Sequence, residues 1–375
     1  VVVSEQVVLQ RGQNQIDWDS LYDLLSFPSF ENDLLYDHPY LYHPTMVCQE
    51  VQKLRIKRRG EEISSQTLFE VADCFRYQSV TFGPDKIYGL MGLLPANNPT
   101  LLKADYTRPP ETVFMQVTAS AIHHGKDLSA IAQASGVELR GVTWCRDWCS
   151  ADFQLCTHFE NPDWVPAPER SFSPSGEQAP TYTVDYERGI LGLKGCCADS
   201  IIRTGNFDLI RPDEKPSLNF TVVMLDWESV ANINDSETKR AFNRTITAGR
   251  WTGSLMDWRE RLGDWDSTEN EACLMLVYHS GENRRFFVTK SGKFGMGPWN
   301  MKKNDIVAVL FGGKMPFVLR RCAAPRGNRK LPDDEPREYY KVIGEAYVDG
   351  LMYYEGSMED DIASGKVVPQ WFHLL

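Results

Sequence analysis

Gly344-Glu345-Ala346-Tyr347-Val348-Asp349-Gly350-Leu351-Met352 reads as a strand running into a turn. Alternate residues of an extended chain face opposite ways, so Ala346 and Val348 share one face and Glu345 and Tyr347 the other. Asp349-Gly350 then supplies turn chemistry. Upstream, Ile306, Val307, Val309, Leu310 and Phe311 are apolar on both faces, as in a central strand covered on both sides. Further strands are expected at 273–279, 285–289, 317–320 and 339–348. Gly281-Glu282-Asn283, Ser291-Gly292, Gly295-Met296-Gly297-Pro298, Gly312-Gly313 and a charged loop at 325–337 separate them. Close spacing of this kind predicts a small antiparallel β-barrel and tail over residues 271–375. Glu345 is expected to form a salt bridge with Arg320 or Arg321.

The segment 136–270 is an irregular, mixed region. Pro162, Pro166, Pro168, Pro174 and Pro180 interrupt it, so 160–182 is expected to run as extended loop. Short strands are expected at 181–186, 190–194 and 198–203, and helices at 235–247 and 253–262. Residues 1–135 are mainly helical on this reading. A strand over 1–10 turns at Arg11-Gly12-Gln13-Asn14, and Asp17 or Asp19 caps a helix carrying Leu21, Leu24 and Leu25. The stretch 27–50 reads as loop with short turns. A helix follows at 64–79, with Leu68, Phe69, Ala72 and Phe75 at helical spacing. Pro84 opens a helical turn at Asp85-Lys86-Ile87-Tyr88-Gly89-Leu90-Met91-Gly92-Leu93, whose glycines permit close packing. Pro110 starts another helix, burying Val113, Phe114, Val117 and Ala121 and ending at Gly125. A shorter helix is expected at 127–135. The fold class is α+β.

The chain has 375 residues, enough for two or three domains. Hydrophobic residues make up 42%, with ten Trp, 15 Tyr and 18 Phe to fill cores, so an ordered globular chain is expected. A net charge of −11 repels phosphate backbones, which disfavours a nucleic-acid partner. Lys53, Arg55, Lys57, Arg58 and Arg59 form a local basic run that reads as a solvated segment. Nine cysteines, an odd number in a long chain, do not form a secreted disulfide framework. The Asn-x-Ser/Thr triplets at Asn219, Asn234 and Asn243 matter only in a secretory setting. No signal peptide or membrane span is visible, so the expected setting is cytoplasmic, with no membrane partner. The chain opens on Val1-Val2-Val3, an apolar run where polar residues are usual, and a truncated chain is expected.

Catalytic and metal motifs are absent from this reading. Cys145, Cys149, Cys156 and His158 approach a zinc set, but Cys156-x-His158 is a poor second pair. They read as cysteines packed beside Trp144 and Trp148. Adjacent Cys196-Cys197 read as packing residues, because bridge geometry needs more separated Cα atoms. His123-His124 sit at a helix end, where a cation is favourable. No Gly-x-Ser-x-Gly elbow, phosphate-binding loop or dinucleotide fingerprint occurs. Gly292-Lys293-Phe294-Gly295-Met296-Gly297 reads as a hairpin connection. The acidic runs Asp333-Asp334-Glu335 and Glu359-Asp360-Asp361 read as solvated loop and tail, since neighbouring exposed acids share one environment. The expectation is therefore no catalytic, cofactor-binding or metal-binding residue, no cofactor, and no enzyme activity.

Several blocks resemble the fungal heterokaryon incompatibility (HET) domain family. Asp85-Lys86-Ile87-Tyr88-Gly89-Leu90-Met91-Gly92 is similar to that family's Asp-Arg/Lys-Ile-Tyr-Ala-Leu-Leu-Gly block. Ala104-Asp105-Tyr106-Thr107 resembles its Pro-Asp-Tyr segment. Asp163-Trp164-Val165-Pro166 resembles its Trp-Val-Pro block, with Pro168 replacing the second Trp. Thr247-Ala248-Gly249-Arg250, Arg284-Arg285-Phe286-Phe287-Val288-Thr289, Gly295-Met296-Gly297-Pro298, Pro316-Phe317-Val318-Leu319-Arg320 and the 344–352 stretch continue the match in order. The resemblance implies the C-terminal portion of such a protein, including its terminal small barrel. Most of a Toll/interleukin-receptor-like N-terminal half would be missing. It implies a role in fungal allorecognition and programmed cell death through a protein partner or self-association. Two alternatives follow: the scaffold of an NAD-cleaving enzyme whose catalytic half is absent, and a ligand-sensing barrel.

Overall fold

The computed structural model describes residues 7–26, 42–59, 66–76, 78–134, 138–150, 171–207, 218–251, 268–324 and 338–375. The chain forms two compact units, residues 1–124 with 148–151, and residues 125–147 with 152–375.

The first unit starts with a hairpin of β1 (Val8–Arg11) and β2 (Asn14–Asp17), antiparallel with Arg11 opposite Asn14. Gly12 takes the first loop position at φ +63°, the backbone that a two-residue turn with leading glycine needs. Asp17 then caps α1 (Trp18–Leu25), accepting from the amides of Asp19 at 2.9 Å and Ser20 at 3.4 Å. Trp18 is buried, and its indole donates to Gln52 on α2 (Tyr42–Arg59). Residues 42–50 are thus helical and not loop. Pro44 is compatible because first-turn amides have no acceptor within the helix. The expected helix at 64–79 is shorter. Among the described residues it is α3 (Leu68–Cys74), opened by a reciprocal Thr67–Glu70 capping box. The segment 85–93 is one short helix, α4 (Asp85–Tyr88), followed by a 3₁₀ turn at Met91–Leu93. α5 (Pro110–Gly125) spans the expected helix and buries Val113, Phe114 and Val117, while Ala121 is only partly buried. This region is only partly helical, because the hairpin and long connections account for much of it.

The second unit opens with α6 (Ser129–Ala132), then β3 (Tyr182–Asp185) and the 15-residue β4 (Ile190–Thr204). The expected strands 190–194 and 198–203 are one strand, bent by a register shift between Cys197 and Asp199. Three helices follow: α7 (Leu218–Ala231), α8 (Ser236–Ile246) and α9 (Thr268–Gly281). Then come β5 (Arg284–Thr289), β6 (Phe294–Pro298), β7 (Ile306–Leu310), β8 (Phe317–Cys322), β9 (Tyr339–Glu345) and β10 (Tyr347–Val348). The unit closes with α10 (Met358–Ala363) and β11 (Gln370–Leu374).

Nine of these strands form one sheet. β4 pairs with β11 along 191–195 and with β7 along 195–200. β11 pairs with β9, β9 with β8, and β8 with β7, so five strands return on themselves. The β9–β11 pair is parallel, which corrects the expected all-antiparallel arrangement. Gly195 sits where β4 meets both β7 and β11, and an added Cβ would lie 2.9 Å from the Leu310 Cα.

Two expectations fail here for visible reasons. The run 273–279 is helix and not strand. Cys273, Leu274, Val277 and Tyr278 are buried at helical spacing, and a short apolar run does not by itself separate a buried helix from a buried strand. Gly295 and Gly297 lie within strand β6 and not in a connection. The Phe287 ring occupies the space that side chains there would need. The adjacent Phe286 and Phe287 point to opposite faces. Phe286 joins the core under α7, α8 and α9, with Trp227, Phe242 and Met296. Phe287 joins Ile201, Val307, Val318, Ile343 and Val348. The expected helix at 253–262 and the charged loop at 325–337 lie outside the described residues. No helix among the described residues is long and apolar enough to cross a membrane.

Candidate protein-contact surface

In the first unit, the 85–93 and 104–107 blocks are built against each other. The Lys86 ammonium is buried and donates to the backbone carbonyls of Arg76, at 2.7 Å, and of Gln78. It thereby satisfies carbonyls just beyond α3. Ile87 and Tyr88 are buried beside it, and the Tyr88 hydroxyl donates to the Asp105 carbonyl at 3.4 Å. The Tyr106 hydroxyl donates to Asp85 Oδ1 at 3.0 Å, which raises the Tyr106 phenol above its ordinary range. Asp105 accepts from the Thr107 hydroxyl and amide and from Arg108 Nε, and these bonds hold its carboxyl below the usual range.

The outcome is an aromatic platform. Tyr88 meets Tyr106 edge-on at 5.2 Å, and Phe82 stacks on Tyr106 at 5.9 Å with 28° between the planes. Tyr106 is 58% exposed, Phe82 44% and Val80 36%. Gly83 anchors the approach to Phe82, since a Cβ there would lie 3.0 Å from Pro110 and 3.2 Å from the Cys149 sulfur.

In the second unit, the 247–250 and 344–352 blocks also meet. α8 ends with Gly249 donating to the Arg244 carbonyl at 2.7 Å and Ala248 to Thr245 at 3.1 Å. Ala248 and Gly249 adopt left-handed φ, at +49° and +72° respectively. Tyr347 packs on Gly249, where a Cβ would sit 3.0 Å from the ring. Arg244 grips Asp349 through two bonds of 2.8 Å, and that contact raises the guanidinium pKa. Burial raises the Tyr347 phenol.

Other sequence-based candidates resolve structurally. Arg320 makes a two-point pair with Asp305 at 2.8 Å and also donates to the Asn300 carbonyl, while Arg321 pairs with Glu338 at 3.4 Å. The Glu345 pairing with either arginine is therefore corrected; Glu345 is buried in β9. Cys145 is buried, as are Trp144 and Trp148, while Cys149 is exposed. Cys156, His158 and the 163–166 block lie outside the described residues. Among the described residues no His, Cys, Asp and Glu cluster could hold a metal. Burial raises the thiol pKa of Cys48, Cys74, Cys196, Cys197 and Cys322, so the reactive thiolate is scarce at neutral pH. His123 and His124 end α5 with their rings 4.8 Å apart. Glu359-Asp360-Asp361 is the first turn of α10, where carboxylates suit the helix dipole; Glu359 and Asp360 are exposed to solvent as expected, but on a helix and not a tail. The acidic run at 333–335 lies outside the described residues. Asn243 is buried, which removes it as an exposed acceptor triplet.

Sequence reading missed both the Lys86 clamp and the Phe82–Tyr106 platform. The exposed run ahead of Gly83-Pro84, with Val80 and Phe82 alternating, was the available signal for the platform.

A family model described as the Het-6 beta-barrel domain matches residues 213–361. The chain is 23% identical over 356 residues to heterokaryon incompatibility protein 6, OR allele, of Neurospora crassa. The match covers 75% of this chain and 49% of the relative, so the chain spans about half the length of the curated relative it matches. No solved structure matches. The matched span runs from just before α7 into α10, and leaves out β3, β4 and β11.

Proposed function

We propose that the chain is a member of the heterokaryon incompatibility family and, from that premise, that it acts in fungal non-self recognition and programmed cell death through contact with a protein partner, in the cytoplasm and without catalytic turnover. The observation that carries this reading is the Het-6 β-barrel match over 213–361 beside a relative named for heterokaryon incompatibility. The five-strand ring of β4, β11, β9, β8 and β7 is, on this reading, the family's barrel. Two of its strands, β4 and β11, then lie outside the matched residues. The exposed ring platform on the first unit supports action by contact, because exposed aromatics held in fixed geometry are typical of binding surfaces.

The test pairs fungal strains that differ only in this gene, alongside incubation of the purified chain with NAD. The expected result is incompatible fusion that depends on the gene, with no NAD consumed. Compatible fusion in every pairing, or NAD turnover by the purified chain, would overturn the proposal.

A further inference from the structure

Tyr106 and Phe82 differ from isolated surface aromatics, which are ordinary and need no explanation. Their rings are stacked, a third ring backs them, and a carboxylate fixes the tyrosine hydroxyl. An aromatic face carries negative charge density that attracts cations. Hydroxyl donation to Asp85 enriches the Tyr106 ring further. Asp85 uses only Oδ1 for this bond, and Oδ2 accepts no hydrogen bond among the described residues. The neighbouring cations are committed elsewhere: Arg108 to Asp105, and Lys86 to two backbone carbonyls. The platform thus joins exposed π faces to an available carboxylate oxygen, on a chain of net charge −11.

Taking action by protein contact as the starting point, we propose that the Phe82–Tyr106 face receives an arginine side chain of a partner protein. The guanidinium lies flat on the rings, as planar cations do, and donates to Asp85 Oδ2. A lysine ammonium matches less well, because it is a compact point charge without a planar face.

The test is a solution titration of the full chain, followed by NMR or fluorescence, with the peptide Gly-Arg-Gly-Arg-Gly. Its citrulline counterpart, which has the same shape without the charge, is the control. Binding of the arginine peptide is expected to exceed that of the citrulline peptide by about threefold or more, the scale of an exposed cation–π contact. Tyr106→Leu, Phe82→Leu and Asp85→Asn should each remove that preference, with circular dichroism reporting that each variant is folded. Tyr106→Phe keeps the ring and should retain part of it. Equal binding of the two peptides, or an arginine preference that survives Tyr106→Leu and Phe82→Leu, would overturn the inference. The latter result would mean general attraction to an acidic surface. Running the same variants in the strain pairing separates the two claims. If the peptide fails to bind yet Tyr106→Leu abolishes incompatibility, the arginine partner is wrong and action by contact stands. If the peptide binds as expected but the wild-type gene causes no incompatibility, action by contact is wrong and the arginine site stands.

Discussion

Arg244 and Asp349, 105 residues apart, form a two-point ion pair with both bonds at 2.8 Å. The pair ties the last turn of α8 to the turn that follows β10. Half the arginine side chain remains exposed, so solvent screens the contact. A double-mutant cycle of Arg244→Ala and Asp349→Ala, read by urea denaturation, should give a coupling of about 0.5–1 kcal/mol that shrinks with added salt. A coupling of zero at low salt would remove the pair as a stabilising joint.

Gly249 lies beside that pair at φ +72°, with the Tyr347 ring in the path of any Cβ. Gly249→Ala combines backbone strain with crowding and should cost roughly 1–3 kcal/mol. Gly92→Ala is the control, since a Cβ there meets nothing within 4 Å and φ is not positive. It should fall within about 0.5 kcal/mol of wild type, as surface substitutions usually do. Equal urea midpoints for the two variants would contradict this account.

Lys86 replaces water for two carbonyls near the end of α3. Lys86→Met keeps the aliphatic bulk and leaves those carbonyls unpaired, which should cost about 2 kcal/mol. Hydrogen exchange should quicken across 66–76 before it does elsewhere. Unchanged exchange in that segment would show that the clamp contributes nothing.

Alkaline pH gives a separate handle. Burial, aided by the hydrogen bond to Glu338, pushes the Tyr340 phenol up to about 12, and burial alone pushes Tyr278 up to about 12. In the unfolded chain both titrate near the ordinary value of about 10. The unfolded state therefore releases protons first, so stability is full below pH 10 and falls as pH rises towards 12. Denaturant midpoints measured from pH 9 to 11.5 should decline, and less steeply in Tyr278→Phe. A flat profile would mean that these hydroxyls ionise freely in the folded chain.

The strands at 306–310, 317–322 and 339–345 were legible because β-branched and apolar residues alternate or run unbroken between turn signals. The Asp17 cap and the Gly12 turn were legible because each needs only local chemistry. The failures depend on partners distant in sequence. Gly295 looks like a turn residue until Phe287 is placed opposite it. The run 273–279 looks like a strand until α7, α8 and β5 surround it. β11 joins β4 and β9 across long separations, and its parallel pairing leaves no local trace. Lys86 reads as an ordinary surface cation, because the carbonyls that it serves are supplied by a different segment. The blocks at 85–93, 104–107, 247–250 and 344–352 were recognisable as sequence, but their meeting in two pairs is visible only in the fold.

The most direct test of the central claim is the fraction of fused fungal cells that take up a vital dye, compared between pairings with and without this gene. The account predicts a clear rise in dye-positive fusion cells when the gene is present and its loss on deletion. Equal dye uptake in both pairings would contradict it.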